Sequence, residues 1–408
     1  MGIAAVIGVR YVGFLAENSG FGQATRLHLH SLVRAGVPVC GRSVLMGPQA
    51  PGDVAVPAAR YPTTARICAQ HQAYDHVLLH VVPPAFPLFR EPGCRNIGIT
   101  VWDSTVLPPG WAEPLAFVDE IWVPSRYAAI SYQRAGHQRP KGPPVRVIPH
   151  PVRVRAVGHQ DLSAAPRTRQ AERSFLGIPD DQFVFLAIQE WSDRKNPLGV
   201  LAAFVDAFNG RNDVALLMKI GLRYVRDFRA VRQALDAVLR RHSRRGAHPP
   251  VYVIAEELTQ RSLNRLYQWA DAYVSLHRSE GFGLCLAEAM AHGLPVVATG
   301  YSGNLDFMDD QSAFLVEHRV VPVRVQLGPH DLWTDNMEWA EPSHDHAVRT
   351  LRAVLADKAH RGEIARRGQR RIRQELAPQR IGNLMRQALA QGPTARVECE
   401  DARGPADL

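Results

Sequence analysis

SLHRSEGFGLCLAEAMAHGLPVVATG, residues 275–300, decides how this chain is read. An apolar run over Ala272–His277 has the length of a strand and ends at a glycine-rich turn. A helix is expected to begin near Gly283 or Leu284 and to close at Gly293, followed by a second strand in LPVVATG. Strand, turn, helix and strand in this order form the unit of a parallel sheet covered by helices. Two glutamates, Glu280 and Glu288, flank the Gly-Phe-Gly turn, one before the helix and one about a turn inside it. The backbone N–H groups of a helix start have no partner inside the helix and attract anions, and Gly281 and Gly283 would let a ligand approach the backbone. Glu288 stands among Leu284, Ala287, Ala289 and Ala291, which leaves little polar face for a merely solvated charge. Both carboxylates are therefore expected to face one cleft, with Glu288 able to accept from two vicinal hydroxyls.

The same alternation extends in both directions. Strands are expected at Ala4–Val9, His76–Val82, Asn96–Val101, Glu120–Val123 and Val145–Ile148, with a helix in GQATRLHLHSLVRAG. The pattern stops around Pro151–Arg173 and resumes with FVFLAIQE, with a helix capped by Asn196 and Pro197, and with VALLMKIG and PVYVIAEE. Two such series predict an α/β chain of two Rossmann-like domains facing a cleft, with ligands at the carboxyl ends of the strands. The expected boundaries are 1–155 for a first Rossmann-like domain, 156–174 for a linker and 175–375 for a second Rossmann-like domain. A helix over 376–391 is expected to pack back on the first domain, and 392–408 to be a tail.

Composition narrows the function classes. Hydrophobic content of 46% with 21% charged residues describes a globular chain, and no apolar run approaches the roughly 20 residues of a membrane-spanning helix. MGIAAVIGVRYVGF lacks a basic start and a cleavage site, which favours a first strand over a signal peptide. The five cysteines (Cys40, Cys68, Cys94, Cys285 and Cys399) never adopt Cys-x-x-Cys spacing, so neither a disulfide framework nor a cysteine zinc cluster is expected, and a cytoplasmic protein is. A net charge of +9 sits largely in basic helical stretches without a nucleic-acid signature, so nucleic acid is not an expected partner, while peripheral contact with an anionic membrane stays open. Arginine supplies nearly all the positive charge. The lysines are Lys141, Lys195, Lys219 and Lys358, and two of them stand beside expected strands.

EGFGLCLAEAM followed by GLPVVAT resembles the E-x7-E signature of retaining glycosyltransferases of family four, whose GT-B type fold has two Rossmann-like halves. The resemblance also covers FVDEIWVPSRYAAISYQRAG, VRVIPHPV, DRKNPLGVLAAF and ATGYSGNLDFM, and is weakest in 40–75 and beyond about 320. It implies that 1–155 is the acceptor-side domain and 175–375 the nucleotide-sugar donor domain, that Glu288 holds the nucleotide ribose and that Glu280 lies by the donor sugar. The backbone of Phe282, Gly283 and Leu284 would meet the sugar and diphosphate. Gly20 and Gly22, in ENSGFGQATR, would form the glycine loop beside the phosphates. Lys195 matches the family's diphosphate lysine. The usual Gly-Arg at the preceding strand end reads Gln189-Glu190 here, so Arg194 is the substitute arginine. Asp103, at a strand end after Trp102, matches a position that touches donor sugar or acceptor. His277, Arg278, Ser302, Gly303 and Asn304 are further candidates for the cleft wall, Glu256 and Glu257 for the base or ribose, and Lys219 for a second cleft cation or an edge-strand guard. His80 reads as a core residue and His150 as part of the hinge.

Asp-x-Asp, the usual grip on a metal-bound nucleotide sugar, does not occur in the chain, so no metal and no separate cofactor are expected at the site. The expected activity is metal-independent, retaining transfer of a hexose-type sugar from a UDP- or GDP-linked donor to a hydroxyl acceptor: a glycan, a lipid-linked glycan or a natural product. A non-hydrolysing sugar-nucleotide epimerase, and a basic protein binding nucleic acid or anionic lipid, are the alternatives.

Overall fold

The computed structural model describes residues 8–46, 51–137, 142–153, 177–223, 225, 227–243, 247–328 and 331–392. The expected linker 156–174, Lys141 and Cys399 lie outside the described residues, as does all of the expected tail except Gly392. Two sheets carry the chain. The first contains β1 (Val9–Gly13), β2 (Val39–Met46), β3 (Pro51–Asp53), β4 (His76–His80), β5 (Arg95–Ile99), β6 (Glu120–Val123) and β7 (Val145–Val147), in the order β3-β2-β1-β4-β5-β6-β7. The second contains β8 (Phe183–Glu190), β9 (Val214–Gly221), β10 (Val251–Ile254), β11 (Ala272–Ser275), β12 (Val296–Thr299) and β13 (Phe314–Val316), in the order β10-β9-β8-β11-β12-β13. All neighbours pair in parallel except β2 with β3. In each sheet the winding reverses beside the first strand, between β1 and β4 and between β8 and β11, the switch points where doubly wound sheets open a ligand crevice.

Most strands of both sheets are apolar on both faces because helices cover both sides, and β4, β6, β11 and β12 are buried along their whole length. The helix Gly20–Arg34 follows β1, capped by Ser19, whose Oγ accepts from the Gly22 N–H at 3.1 Å. Pro197–Phe208 follows β8, with Asn196 as a left-handed cap (φ 53°) whose side chain accepts from the Gly199 N–H and donates to the Leu276 carbonyl.

Several sequence expectations are revised. The first strand among the described residues is Val9–Gly13; of the expected strand Ala4–Val9, residues 4–7 lie outside the described residues. β2 and β3 were not expected; the apolar residues of β2 are interrupted by Gly41, Arg42 and Ser43, and β3, three residues long with Pro51 and Gly52, is held only as a hairpin on β2. Lys219 cannot guard an edge, because β9 lies between β10 and β8. Beyond β13, an antiparallel pair, β14 (His318–Pro322) with β15 (Glu338–Pro342), forms an arm. Sequence position puts this arm in the second half, yet Val323, Met337 and Trp339 join one apolar cluster with Val12, Phe14 and Trp102 of the first.

The helix Pro378–Gln391 also crosses over, packing against Gly20–Arg34. The crossing is tight at Gly382, where a Cβ would stand 2.0 Å from the carbonyl oxygen of Ser31. Arg95 and Arg146 anchor its end by donating to the carbonyls of Leu389 (3.0 Å) and Gly392 (3.3 Å). Gly382→Ala is accordingly expected to force these helices apart and lower stability by about 1–3 kcal/mol, read as a reduced denaturation midpoint. An unchanged midpoint would mean that the crossing does not exist in solution.

Candidate active site

The turn after β11 places Glu280 under two cations from the loop after β8. Lys195 Nζ bonds Glu280 Oε1, and Arg194 Nη1 approaches Oε2 at 3.3 Å. Arg194 also donates to the Ser279 carbonyl at 2.9 Å, and its Nε lies 3.3 Å from Asp103 Oδ2. Burial alone would raise the pKa of Glu280, but Lys195 and Arg194 outweigh it and hold the carboxyl down to about 2. Burial, followed by the neighbouring Glu280 charge, pushes Asp103 up against the pull of Arg194. The two acids therefore differ in environment although they share one guanidinium.

Both Asp103 oxygens are engaged. Oδ2 faces Arg194, and Oδ1 accepts from the Gly281 N–H at 2.5 Å. Asp103 thus fastens the loop after β5 to the glutamate turn of the other domain. Gly281 serves the same contact: a Cβ there would fall 2.2 Å from Val101 Cγ2 and 3.0 Å from the Trp102 carbonyl. The expectation that this glycine makes room for a ligand is corrected; it makes room for the first domain. Ser279 Oγ donates to the Asp103 carbonyl and Ser125 Oγ to the Gly281 carbonyl at 2.5 Å, completing the seam. Gly283 has φ 92°, a left-handed conformation that favours glycine, and caps the helix Leu284–Ala291. Ser302 and Asn304 back the turn. Ser302 Oγ accepts from the Glu280 N–H at 2.8 Å, and Asn304 bonds His277 at 3.1 Å.

Glu288, a turn into that helix, is only partly buried and meets groups from both domains. Gln23 Nε2, from the first-domain helix, donates to Oε1, and the Tyr267 hydroxyl donates to Oε2 at 3.2 Å. Burial pushes the carboxyl up to about 7, opposed by these two bonds and by Arg153. Gly20 has open space around it, whereas Gly22 is required by the fold, since a Cβ there would stand 2.3 Å from the Glu17 carbonyl. Further contacts bridge the cleft at Glu17–Arg223 (2.6 Å), Asn18–Glu257 (3.2 Å) and Arg126–Asp306 (2.8 Å).

Sequence reasoning missed Gln23 and Tyr267. Gln23 could have been found as the first amide after the glycine loop; Tyr267 carries no local signal, because only the tertiary fold brings its helix against Leu284–Ala291. Other candidates fall outside the charge cluster. Arg278 is committed to Glu341 (2.8 Å) and to the Asp193 carbonyl (2.6 Å), while Lys219 is half-buried and donates to the Ile220 carbonyl. Of the second glutamate pair, Glu257 meets Asn18 across the cleft. His80 is buried and bonds the Tyr11 hydroxyl at 2.6 Å, next to His28 and His150, which bond each other at 3.1 Å.

Burial depresses the pKa values of these three histidines, to about 3 for His150 and well below the usual value for His28 and His80. They stay neutral in the fold but bind protons once unfolded, below the ordinary histidine value of about 6.5. Their contribution is present above that value and declines as pH falls towards about 3. The thermal midpoint should therefore drop between about pH 6.5 and 4, and less steeply in a His28→Asn variant; equal slopes would remove His28 from the account.

The family model described as glycosyl transferases group 1 matches residues 168–321. The chain is 30% identical over 135 residues to the alpha-monoglucosyldiacylglycerol synthase of Streptococcus pneumoniae, a stretch covering 33% of this chain and 28% of that protein. It thus spans less than a third of that relative's length. The structure of Anabaena HepE in complex with UDP and glucose superposes with a TM-score of 0.62 at 14% identity, over 94% of this chain and 99% of that one. The E. coli trehalose-6-phosphate structure bound with UDP-2-fluoro glucose superposes with a TM-score of 0.62 at 12% identity, again over 94% and 99%. At such identities the likeness establishes the fold, and that fold is the two-domain GT-B arrangement.

Proposed function

We propose, from the premise that this chain belongs to the group 1 glycosyltransferases through residues 168–321, that it moves a hexose-type sugar from a UDP-linked donor to a hydroxyl acceptor with retention of configuration. One observation carries the reading: a partly buried carboxylate, Glu288, and a cation pair, Arg194 and Lys195, lie at opposite ends of one helix-start turn. A nucleoside diphosphate needs both groups. Glu288 accepts from the ribose hydroxyls once Gln23 swings away, and Tyr267 keeps the carboxylate oriented. Lys195 has three N–H donors and uses one on Glu280, leaving two for the diphosphate. The N–H groups at the start of Leu284–Ala291 and the open space at Gly20 add neutral donors and room. UDP is preferred over GDP because the HepE and E. coli neighbours hold uridine nucleotides.

Arg194, Lys195 and the helix start stabilise charge as it gathers on the departing diphosphate, without metal assistance. Glu280 keeps both cations aligned; its ionised state follows from the same contacts. Asp103 acts by positioning Arg194 and the turn. Same-face attack by the acceptor, with the leaving phosphate taking the proton, gives retention. No described helix is long and apolar enough to cross a membrane, so a lipid-linked acceptor would be met by peripheral contact.

Lys195→Ala should lower kcat roughly a hundredfold with a smaller change in nucleoside affinity, because charge on the diphosphate peaks in the transition state. Glu288→Ala should weaken UDP binding by roughly ten- to a hundredfold through the loss of two charge-assisted hydrogen bonds. Steady-state kinetics with a panel of UDP- and GDP-sugars, with and without added Mg2+, tests both; wild-type turnover in both variants would refute the assignment.

Because the Glu288 carboxyl ionises at about 7, its double-acceptor form is lost as pH falls below that value. Affinity for UDP-glucose should therefore weaken towards tenfold per pH unit below about 7, and Glu288→Gln should abolish the slope. Calorimetric titration between pH 5.5 and 8.5 reads this, and a flat wild-type profile would contradict it.

A further inference from the structure

Away from the cleft, three helices of the donor half converge on one carboxylate. Asp206 lies near the end of Pro197–Phe208, His242 ends Phe228–His242, and His344 begins His344–Ala356. His242 Nδ1 and His344 Nε2 each stand 2.8 Å from the same Asp206 oxygen, Oδ2. The three candidate ligand atoms all lie within 4.8 Å of one another, and the imidazole rings are 5.9 Å apart. Asp206 and His242 are partly buried and His344 is exposed, so an ion has a path from solvent and a supported floor.

The backbone around the cluster is tied down independently. Arg352 donates to the carbonyls of Asp206 (2.8 Å) and Ala207 (2.9 Å), leaving the carboxylate to the imidazoles, and Asn209 donates to the His242 carbonyl at 3.1 Å. Two imidazoles and one carboxylate form a ligand set suited to zinc, at bond lengths of about 2.0–2.2 Å. Tetrahedral coordination at those lengths separates ligand atoms by about 3.3–3.6 Å, so each histidine nitrogen, now 2.8 Å from Asp206 Oδ2, must move outward by about half an ångström or more to admit the ion. The group is absent from the sequence reading because Asp206, His242 and His344 have no local metal-ligand spacing.

We propose that Asp206, His242 and His344 form a zinc(II) site that staples these three helices together. Asp206 is ten residues from Asn196, about 15 Å along the helix that begins beside Lys195, so the site is structural and separate from sugar transfer. It stands whether or not the proposed transferase activity is correct.

The test uses the full chain without a histidine tag. Saturating Zn2+ should raise the thermal midpoint by about 3–5 °C, and Co2+ should give the d–d absorption of a four- or five-coordinate ion, which excess Zn2+ removes. Both effects should disappear in His242→Ala/His344→Ala and be weakened in His242→Gln alone. If the wild-type chain shows no Zn2+-dependent shift and no Co2+ band, or if the double variant shows the same responses, Asp206 merely accepts hydrogen bonds from two histidines and the proposal is overturned. Should the double variant not fold, the wild-type Co2+ spectrum and His242→Gln decide in the same way.

Discussion

A buried carboxylate must be compensated, and the compensation of Glu280 organises this molecule. Its two oxygens face Lys195 and Arg194, both on the loop after β8, while Arg194 reaches on to Asp103 in the other domain. Removing either cation would leave charge in a poorly solvated place, a far larger penalty than losing a surface ion pair. The loop after β8, the turn after β11 and the loop after β5 are therefore mutually fixed. Each follows the carboxyl end of a strand near a switch point, so the electrostatic constraint lies where the topology opens its crevices.

The same quartet has consequences for ligand binding. Two cations and two carboxylates sum to no net charge, so an arriving diphosphate meets directed donors rather than a strongly positive field. Orientation is supplied in advance by Asp103 and by the Ser279 carbonyl on Arg194. At the other end of the turn the situation is reversed. Glu288 has no cation within hydrogen-bonding reach among the described residues and relies on an amide and a phenol, which is why burial dominates there and its carboxyl titrates near neutrality. One segment thus holds a strongly acidic carboxyl, at about 2, and a weakly acidic one, at about 7.

The two halves are joined by more than the cleft. The helix Pro378–Gln391 returns to the first domain, and the arm β14–β15 inserts Val323, Met337 and Trp339 beside Trp102. Asp193, next to Arg194, receives the N–H groups of Gln326 and Leu327 with its Oδ2, so the arm is also tied to the cation loop. Movement of one half against the other must be accommodated by these connections.

How much of this was legible beforehand follows from the range of each interaction. Alternating strand and helix periods are local, so two parallel sheets, the Asn196 and Gly283 caps and the helix carrying Glu288 could be read directly from the chain. The rarity of lysine and its place before a capped helix singled out Lys195 in the same way. Short or irregular segments such as β3 and the arm escaped because they are held by partners rather than by their own pattern. The contacts that give the site its character join residues very far apart, 265 positions for Gln23 with Glu288 and 178 for Asp103 with Gly281. No propensity or spacing encodes such pairs. Sequence alone determined which groups could do chemistry, and only the packing of one domain on the other decided which of them meet, because burial and the nearest charge exist only once the chain is folded.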